Sequence, residues 1–231
     1  MNSAIRGKKA FVVGGTGGIG GAVSRLLVGE GARVTVAGRH PVPGATLVEC
    51  SLDKRDNLAT LCGLAEGADI LCVAWGPFLQ KPVEQTTPEE WEAVVYANLA
   101  LPGALVSAAL PGMLRNGWGR ILLFGGTRTE SIRGFRTNAA YGAAKTGISA
   151  LVKSVAGAHA GAGIACNALC PGFVATEYAD DACLADIAAR NPDGVPMKPG
   201  DVAEVALAIL NNPVINGVIL PLDKGWTPQF I

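Results

Sequence analysis

The sequence predicts an α/β protein, a doubly wound parallel sheet of about seven strands with helices on both faces. Three observations predict it. Short β-branched runs alternate with longer helical patterns, which implies parallel strands joined by right-handed crossovers. A glycine-rich turn, Gly14-Gly15-Thr16-Gly17-Gly18-Ile19-Gly20, lies directly between an apolar run and an amphipathic stretch. The 231 residues are 49% hydrophobic and only 16% charged, as expected when most strands are covered on both faces.

Taken in order, the run Ala10-Phe11-Val12-Val13 marks a first strand at about 9–13. The stretch Ala22 to Val28 then gives a helix at about 18–29. Strands follow at about 33–37 and 46–50, with only Gly38 to Ala45 between them. That connection is too short and too proline-rich for a regular helix, and parallel neighbours normally need about a dozen residues. Either it runs extended over the sheet edge, or the strand boundaries shift by a few residues. Further on come a helix at about 54–65, a strand at about 69–74, a helix at about 88–114 and a strand at about 120–125. A helix at about 138–159, a strand at about 164–169, a helix at about 201–211 and a last strand at about 217–221 complete the reading.

The composition excludes several classes of function. No linker, charge run or low-complexity stretch divides the chain, so residues 1–231 read as one domain. A formal net charge of zero argues against a nucleic-acid surface. No apolar run approaches a membrane span, and Met1 to Arg6 lacks the apolar core of a signal peptide. The six cysteines show no zinc spacing and read as buried thiols of a reducing cytosol, with no metal expected.

Chemistry concentrates in a few places. Strand, glycine turn and helix form the arrangement in which a helix N-terminus offers free N–H groups and a positive dipole end to a pyrophosphate. Downstream, Tyr141 and Lys145 stand one helical turn apart, so an ammonium can sit beside a phenol. A nearby cation is expected to draw the phenol pKa down from about 10.

With these marks the chain resembles the short-chain dehydrogenase/reductase superfamily, in its compact branch, over nearly its whole length. The glycine turn matches TGxxxGxG with Val13 in the Thr place and Gly14, Gly18 and Gly20 as the glycines; Gly15, Gly17 and Gly20 also satisfy GxGxxG. Tyr141 and Lys145 match YxxxK, Asn98 matches the Asn on the helix after the fourth strand, and Pro171 to Thr176 match PGxxxT. The resemblance implies a Rossmann fold and hydride transfer between a nicotinamide and a carbonyl or secondary alcohol. It makes Tyr141 the general acid or base, Lys145 the holder of the nicotinamide ribose, Asn98 the holder of a water linking Lys145 to solvent, and Thr176 the anchor of the carboxamide. Gly14, Thr16, Gly17, Gly18, Ile19 and Gly20 would carry the phosphates. Ser51, Leu52, Ala74, Trp75, Pro171, Gly172 and Val174 would line the rest of the dinucleotide.

Three departures stand out. Relatives carry a Ser about thirteen residues before the Tyr, where this chain has Arg128; Thr127 is the best substitute, with Thr129 and Ser131 as weaker ones. Val73-Ala74-Trp75-Gly76 replaces NNAG, and Ser51-Leu52 stands where an Asp often contacts adenine. At the end of the second strand Gly38 occupies the place of an acidic residue and Arg39 follows, which favours NADP(H) over NAD(H). The loop Thr127 to Arg136 holds three arginines suited to a carboxylate or phosphate, or to solvent and subunit contacts. Residues of about 177–197 correspond to a lid, in which Tyr178 and Met197 could line an apolar pocket. The resemblance implies a homotetramer or homodimer paired through the two long helices, whose apolar faces would otherwise lie exposed, and a cytoplasmic location is expected. The alternative is a dinucleotide-binding sensor that no longer turns over.

Overall fold

The computed structural model describes residues 3–177 and 179–226. Seven parallel strands, β1 (Lys9–Val13), β2 (Arg33–Gly38), β3 (Thr46–Glu49), β4 (Ile70–Val73), β5 (Gly119–Phe124), β6 (Ile164–Pro171) and β7 (Ile219–Leu222), form one sheet. Their order is β3-β2-β1-β4-β5-β6-β7. The helices are α1 (Gly18–Gly29), α2 (Leu58–Glu66), α3 (Pro88–Val95), α4 (Leu101–Asn116), α5 (Ala139–His159), α6 (Asp181–Arg190) and α7 (Pro199–Asn211).

The two-residue period of a strand divides the core between the faces. In β1, Phe11 and Val13 join Leu61 of α2, Leu105 of α4 and Val152 of α5. Ala10 and Val12 turn the other way, to Leu27 of α1 and Ala206 of α7. The central strands are therefore mostly apolar, and β4 and β5 are buried throughout, Arg120 included.

The connection between β2 and β3 holds no helix, only bends and a turn closed from Ala45 N–H to the Val42 carbonyl, and both strands stand where the sequence places them. β2 pairs β3 in parallel from Thr35↔Thr46 to Gly38↔Glu49. Val42 pins the loop into the α1 side of the core, and Gly44 turns it at φ +79°. With no helix above it, β3 stays half-exposed.

The long helix expected at 88–114 is three pieces. A π-helical segment, Tyr96–Ala100, separates α3 from α4. Sequence periodicity also missed α6, which Asp180 caps by accepting from Cys183 N at 2.8 Å. Two expectations need correction. Pro88–Asn116 is long and apolar enough to span a membrane, with mean hydropathy 1.7, because its charges gather at the ends. It packs on α2 and β5 and holds a buried Asn98, as a core helix does. Nor are all cysteines buried: Cys183 is exposed, and Cys50 and Cys62 are half-buried.

Candidate active site

The glycine turn is dictated by crowding. Gly14 turns the chain at φ +74°, and a Cβ there would lie 2.7 Å from Trp75 Cβ and 3.0 Å from the Ala74 carbonyl. A Cβ at Gly20 would collide with the Gly14 carbonyl, so helix α1 can approach the turn only with glycine there. Gly17 caps α1 without a side-chain bond, leaving the helix end to other acceptors. One is present: the Gly18 N–H donates to Glu177 Oε1 at 2.7 Å. An anion thus sits at the positive end of α1, where Thr176 also approaches. A cradle of this kind fits a dinucleotide phosphate.

At the end of β2, Thr16 explains Gly38. A side chain at 38 would run into the Thr16 hydroxyl, which accepts from Arg39 N at 3.4 Å. An acidic residue is therefore excluded from that place by contact as well as by sequence. Arg39 is exposed at the rim. Across the strand ends, the Ser51 hydroxyl donates to Asp53 at 2.8 Å and Leu52 is buried. That hydrogen bond, with backbone N–H bonding behind it, holds the Asp53 carboxyl below its ordinary range.

Tyr141 and Lys145 occupy the first turns of α5. Lys145 Nζ donates to the Phe124 carbonyl at 2.9 Å and stands 5.8 Å from the Tyr141 ring centre. Phe78 meets the Tyr141 ring edge-on at 4.9 Å. Burial lowers the Lys145 pKa from 10.5 to about 8. Burial, with a smaller contribution from Cys170, pushes the phenol up to about 12 rather than down. The expected depression of the phenol is reversed because desolvation penalises phenolate and ammonium alike, and at this separation it outweighs their attraction.

Asn98 lies in the π segment, a distortion that often marks functional sites. Its amide donates to the Pro77 and Val94 carbonyls at 3.0 and 3.1 Å. Its Oδ1 is buried without a partner among the described residues. Gly76 allows that oxygen to face Lys145, since a Cβ there would strike Oδ1 and lie 3.2 Å from Nζ.

The hydroxyl candidates separate clearly. Thr127 donates to the Pro171 carbonyl at 3.1 Å, at the mouth of the site. Thr129 is fully buried, tied to both backbone groups of Gly126 at 2.7 and 2.9 Å. Ser131 is exposed and accepts from Arg133 at 3.0 Å. The position facing the phenol is Gly126, whose Cβ would lie 2.9 Å from Tyr141 Oη. Counting thirteen back from Tyr141 misses it, because two extra residues lie in the loop between; counting forward from the end of β5 reaches it.

Pro171 ends β6, and the Gly172 N–H donates to the Leu222 carbonyl at 2.8 Å. Val174 pairs with Met197, so the segment at about 177–197 is closed at its base, with Met197 buried. Tyr178 lies outside the described residues. Besides Gly126, sequence reasoning gave no site role to Phe78, Gly76 and Glu177; only Gly76, the last residue of the Val73-Ala74-Trp75-Gly76 stretch that stands for NNAG, left a readable signal. A cavity of about 640 Å³ opens at the other end of the sheet, by Lys9 and Arg33, and holds none of these groups.

The comparisons agree with this geometry. The family model described as enoyl-(acyl carrier protein) reductase matches residues 14–227. D-beta-hydroxybutyrate dehydrogenase of Cupriavidus necator is 27% identical over 259 residues, covering 97% of this chain and all of that protein (100%). The crystal structure of the TT0495 protein of Thermus thermophilus is 33% identical, with a TM-score of 0.85 over 96% of this chain and 99% of that one. A candidate NAD(P)-dependent gluconate 5-dehydrogenase from Beutenbergia cavernae, with NADP bound at low occupancy, is 28% identical with a TM-score of 0.87 over 99% of this chain and 100% of that one. A phosphate cradle, a phenol and ammonium beside it, and likeness along the whole chain agree: the chain belongs to the short-chain dehydrogenase/reductase superfamily and is an NAD(P)-dependent oxidoreductase.

Proposed function

We propose that this protein reduces a carbonyl to a secondary alcohol with NADPH, and runs the reverse reaction, with Tyr141 handling the proton. One observation carries the reading: the Tyr141 phenol, held protonated by burial, makes no hydrogen bond among the described residues while Lys145 stands behind it. A nicotinamide, when bound, supplies or accepts the hydride. Tyr141 then gives its proton to the carbonyl oxygen, and the phenolate that results is compensated by Lys145, charged below about pH 8. The Phe124 carbonyl fixes the ammonium in place. Asn98 Oδ1 offers the acceptor through which a water would return the proton, as the only unsatisfied atom of that amide.

The Gly14 to Gly20 turn would hold the phosphates, Ser51 and Leu52 the adenine side, Ala74 and Trp75 the middle. Pro171, Gly172, Val174 and Thr176 would hold the nicotinamide end. Thr127, tied to the Pro171 carbonyl at the mouth, would supply the hydroxyl that serves the substrate oxygen. Arg39 with a barred Gly38 favours the 2′-phosphate of NADP(H), and NADP-bound relatives support it. Residues 1–231 act as one catalytic unit under the 177–197 lid, in a cytoplasmic homotetramer or homodimer. The oxidoreductase relatives do not favour the silent-sensor alternative.

The test is NADPH and NADH consumption over a carbonyl panel, repeated with Tyr141→Phe. Expected is a higher kcat/KM with NADPH and a fall of about 10²–10⁴-fold in the variant. Turnover retained within tenfold by Tyr141→Phe would sink the assignment, and a preference for NADH would remove the NADP(H) reading.

A further inference from the structure

The loop after β5 holds a guanidinium that the proposed chemistry leaves unused. Arg128 stands at φ +61°, in the left-handed region. There an unbranched, non-glycine residue costs about 1–3 kcal/mol unless its surroundings hold it. What holds it is an aromatic stack: its guanidinium lies 3.9 Å from the centre of the Trp226 ring. Trp226 in turn meets Phe173 edge-on at 5.1 Å, at the foot of the lid. The side chain is thus fixed in direction by two rings.

Among the described residues its hydrogen bonds are unused. Arg128 Nε is buried without a partner there, and no carboxylate of those residues lies within ion-pair distance of the guanidinium. The neighbouring arginines differ: Arg133 is paired with Glu130 at 3.4 Å, and Arg136 is exposed. A planar cation stacked on one face keeps its edge for in-plane donors, which suits a carboxylate taken two-pronged.

Its place fits a substrate group. Gly126 abuts the Tyr141 hydroxyl, and Arg128 follows two residues later, so their Cα atoms are at most about 7 Å apart. Thr127, between them, is tied to Pro171 at the mouth of the same cleft. A short chain with its carbonyl at Tyr141 therefore has an arginine at hand for its other end.

We infer that Arg128 is the specificity-determining residue, binding the carboxylate of a short oxo- or hydroxy-acid whose carbonyl or alcohol reacts at Tyr141. This rests on the reductase reading above. Arg128 does not touch the reacting atoms, so its effect belongs in KM more than in kcat.

The test uses the full-length enzyme with NADPH and pyruvate or acetoacetate, each beside its methyl ester. Wild type should favour the acid in kcat/KM by tenfold or more. Arg128→Asn, a residue that tolerates the left-handed region, should reduce that acid-to-ester ratio at least tenfold, chiefly through the KM for the acid. Arg128→Lys should recover part of it. Binding of acid and ester to the NADP⁺ complex, read by tryptophan fluorescence, gives the same ratio without turnover. Ester reduced as well as acid by wild type, or a ratio unmoved in Arg128→Asn, overturns the role of Arg128 while leaving the reductase standing. Acid bound preferentially and lost in Arg128→Asn, but nothing reduced, supports the anion site and removes the reductase reading instead. Acid and ester bound alike, with nothing reduced, overturns both.

Discussion

Lys145→Met should stabilise this protein at neutral pH while abolishing turnover. Lys145 is 5% exposed, and burial brings its pKa from 10.5 to about 8. In the unfolded chain the lysine keeps its proton to about pH 10.4. Between those limits the unfolded state binds more protons, so wild-type stability rises with pH, at about 1.4 kcal/mol per pH unit. The whole cost, about 3 kcal/mol, is present below pH 8 and gone above about pH 10.4. Methionine keeps the apolar stem and removes the charge. It also leaves the Phe124 carbonyl without the 2.9 Å donor it now has, at about 1–3 kcal/mol. The variant should then be up to about 2 kcal/mol more stable at pH 7 and about 1–3 kcal/mol less stable near pH 10.5. For a chain of this size 1 kcal/mol moves the thermal midpoint by about 2–4 °C. Thermal or urea midpoints of both proteins from pH 6.5 to 10.5 measure the difference. A difference that stays flat between pH 7 and 10 would refute the reasoning, because only the titration of Lys145 makes it slope.

The remaining expectations concern glycines. Gly20→Ala should abolish dinucleotide binding and destabilise the fold by about 1–3 kcal/mol, since its Cβ meets the Gly14 carbonyl and overpacking of this kind is not relieved by better helix propensity. Fluorescence titration with NADPH and a thermal scan check both; unchanged binding would mean the turn can open. Gly126→Ala should displace the Tyr141 phenol, 2.9 Å from the new Cβ, and lower kcat/KM by about 10–100-fold. Gly126→Ser should exceed Gly126→Ala, because its hydroxyl adds a donor beside the reacting oxygen. Equal rates for the two would show that the substrate oxygen does not lie between positions 126 and 141.

The central strands were readable because they are buried on both faces, a position that favours apolar runs such as Ile121 to Phe124. The same logic fails for α6, a ten-residue helix in which only Ile187 is buried, so no apolar stripe announces it. The π segment at Tyr96–Ala100 is invisible for another reason, since widening one turn changes geometry without changing composition. Of the candidate site, the glycine turn and the Tyr141–Lys145 pair were legible because their spacing along the chain is covalently fixed. Gly126 did not, because its relation to Tyr141 crosses a loop whose length is free to vary. Nor did the direction of the phenol pKa, which depends on how much water the fold removes around Tyr141 and not on which residue lies four positions away.

On the dinucleotide site proposed above, the 2.7 Å bond from Gly18 to Glu177 would make the free protein a competitor for its own cofactor. Any dinucleotide phosphate placed on that helix end exchanges one anion for another. Its apparent dissociation constant is the intrinsic one divided by the fraction of molecules in which the carboxylate has moved away. Because Glu177 also opens the segment proposed above as the lid, a phosphate that displaced its carboxylate would release one tether of that segment.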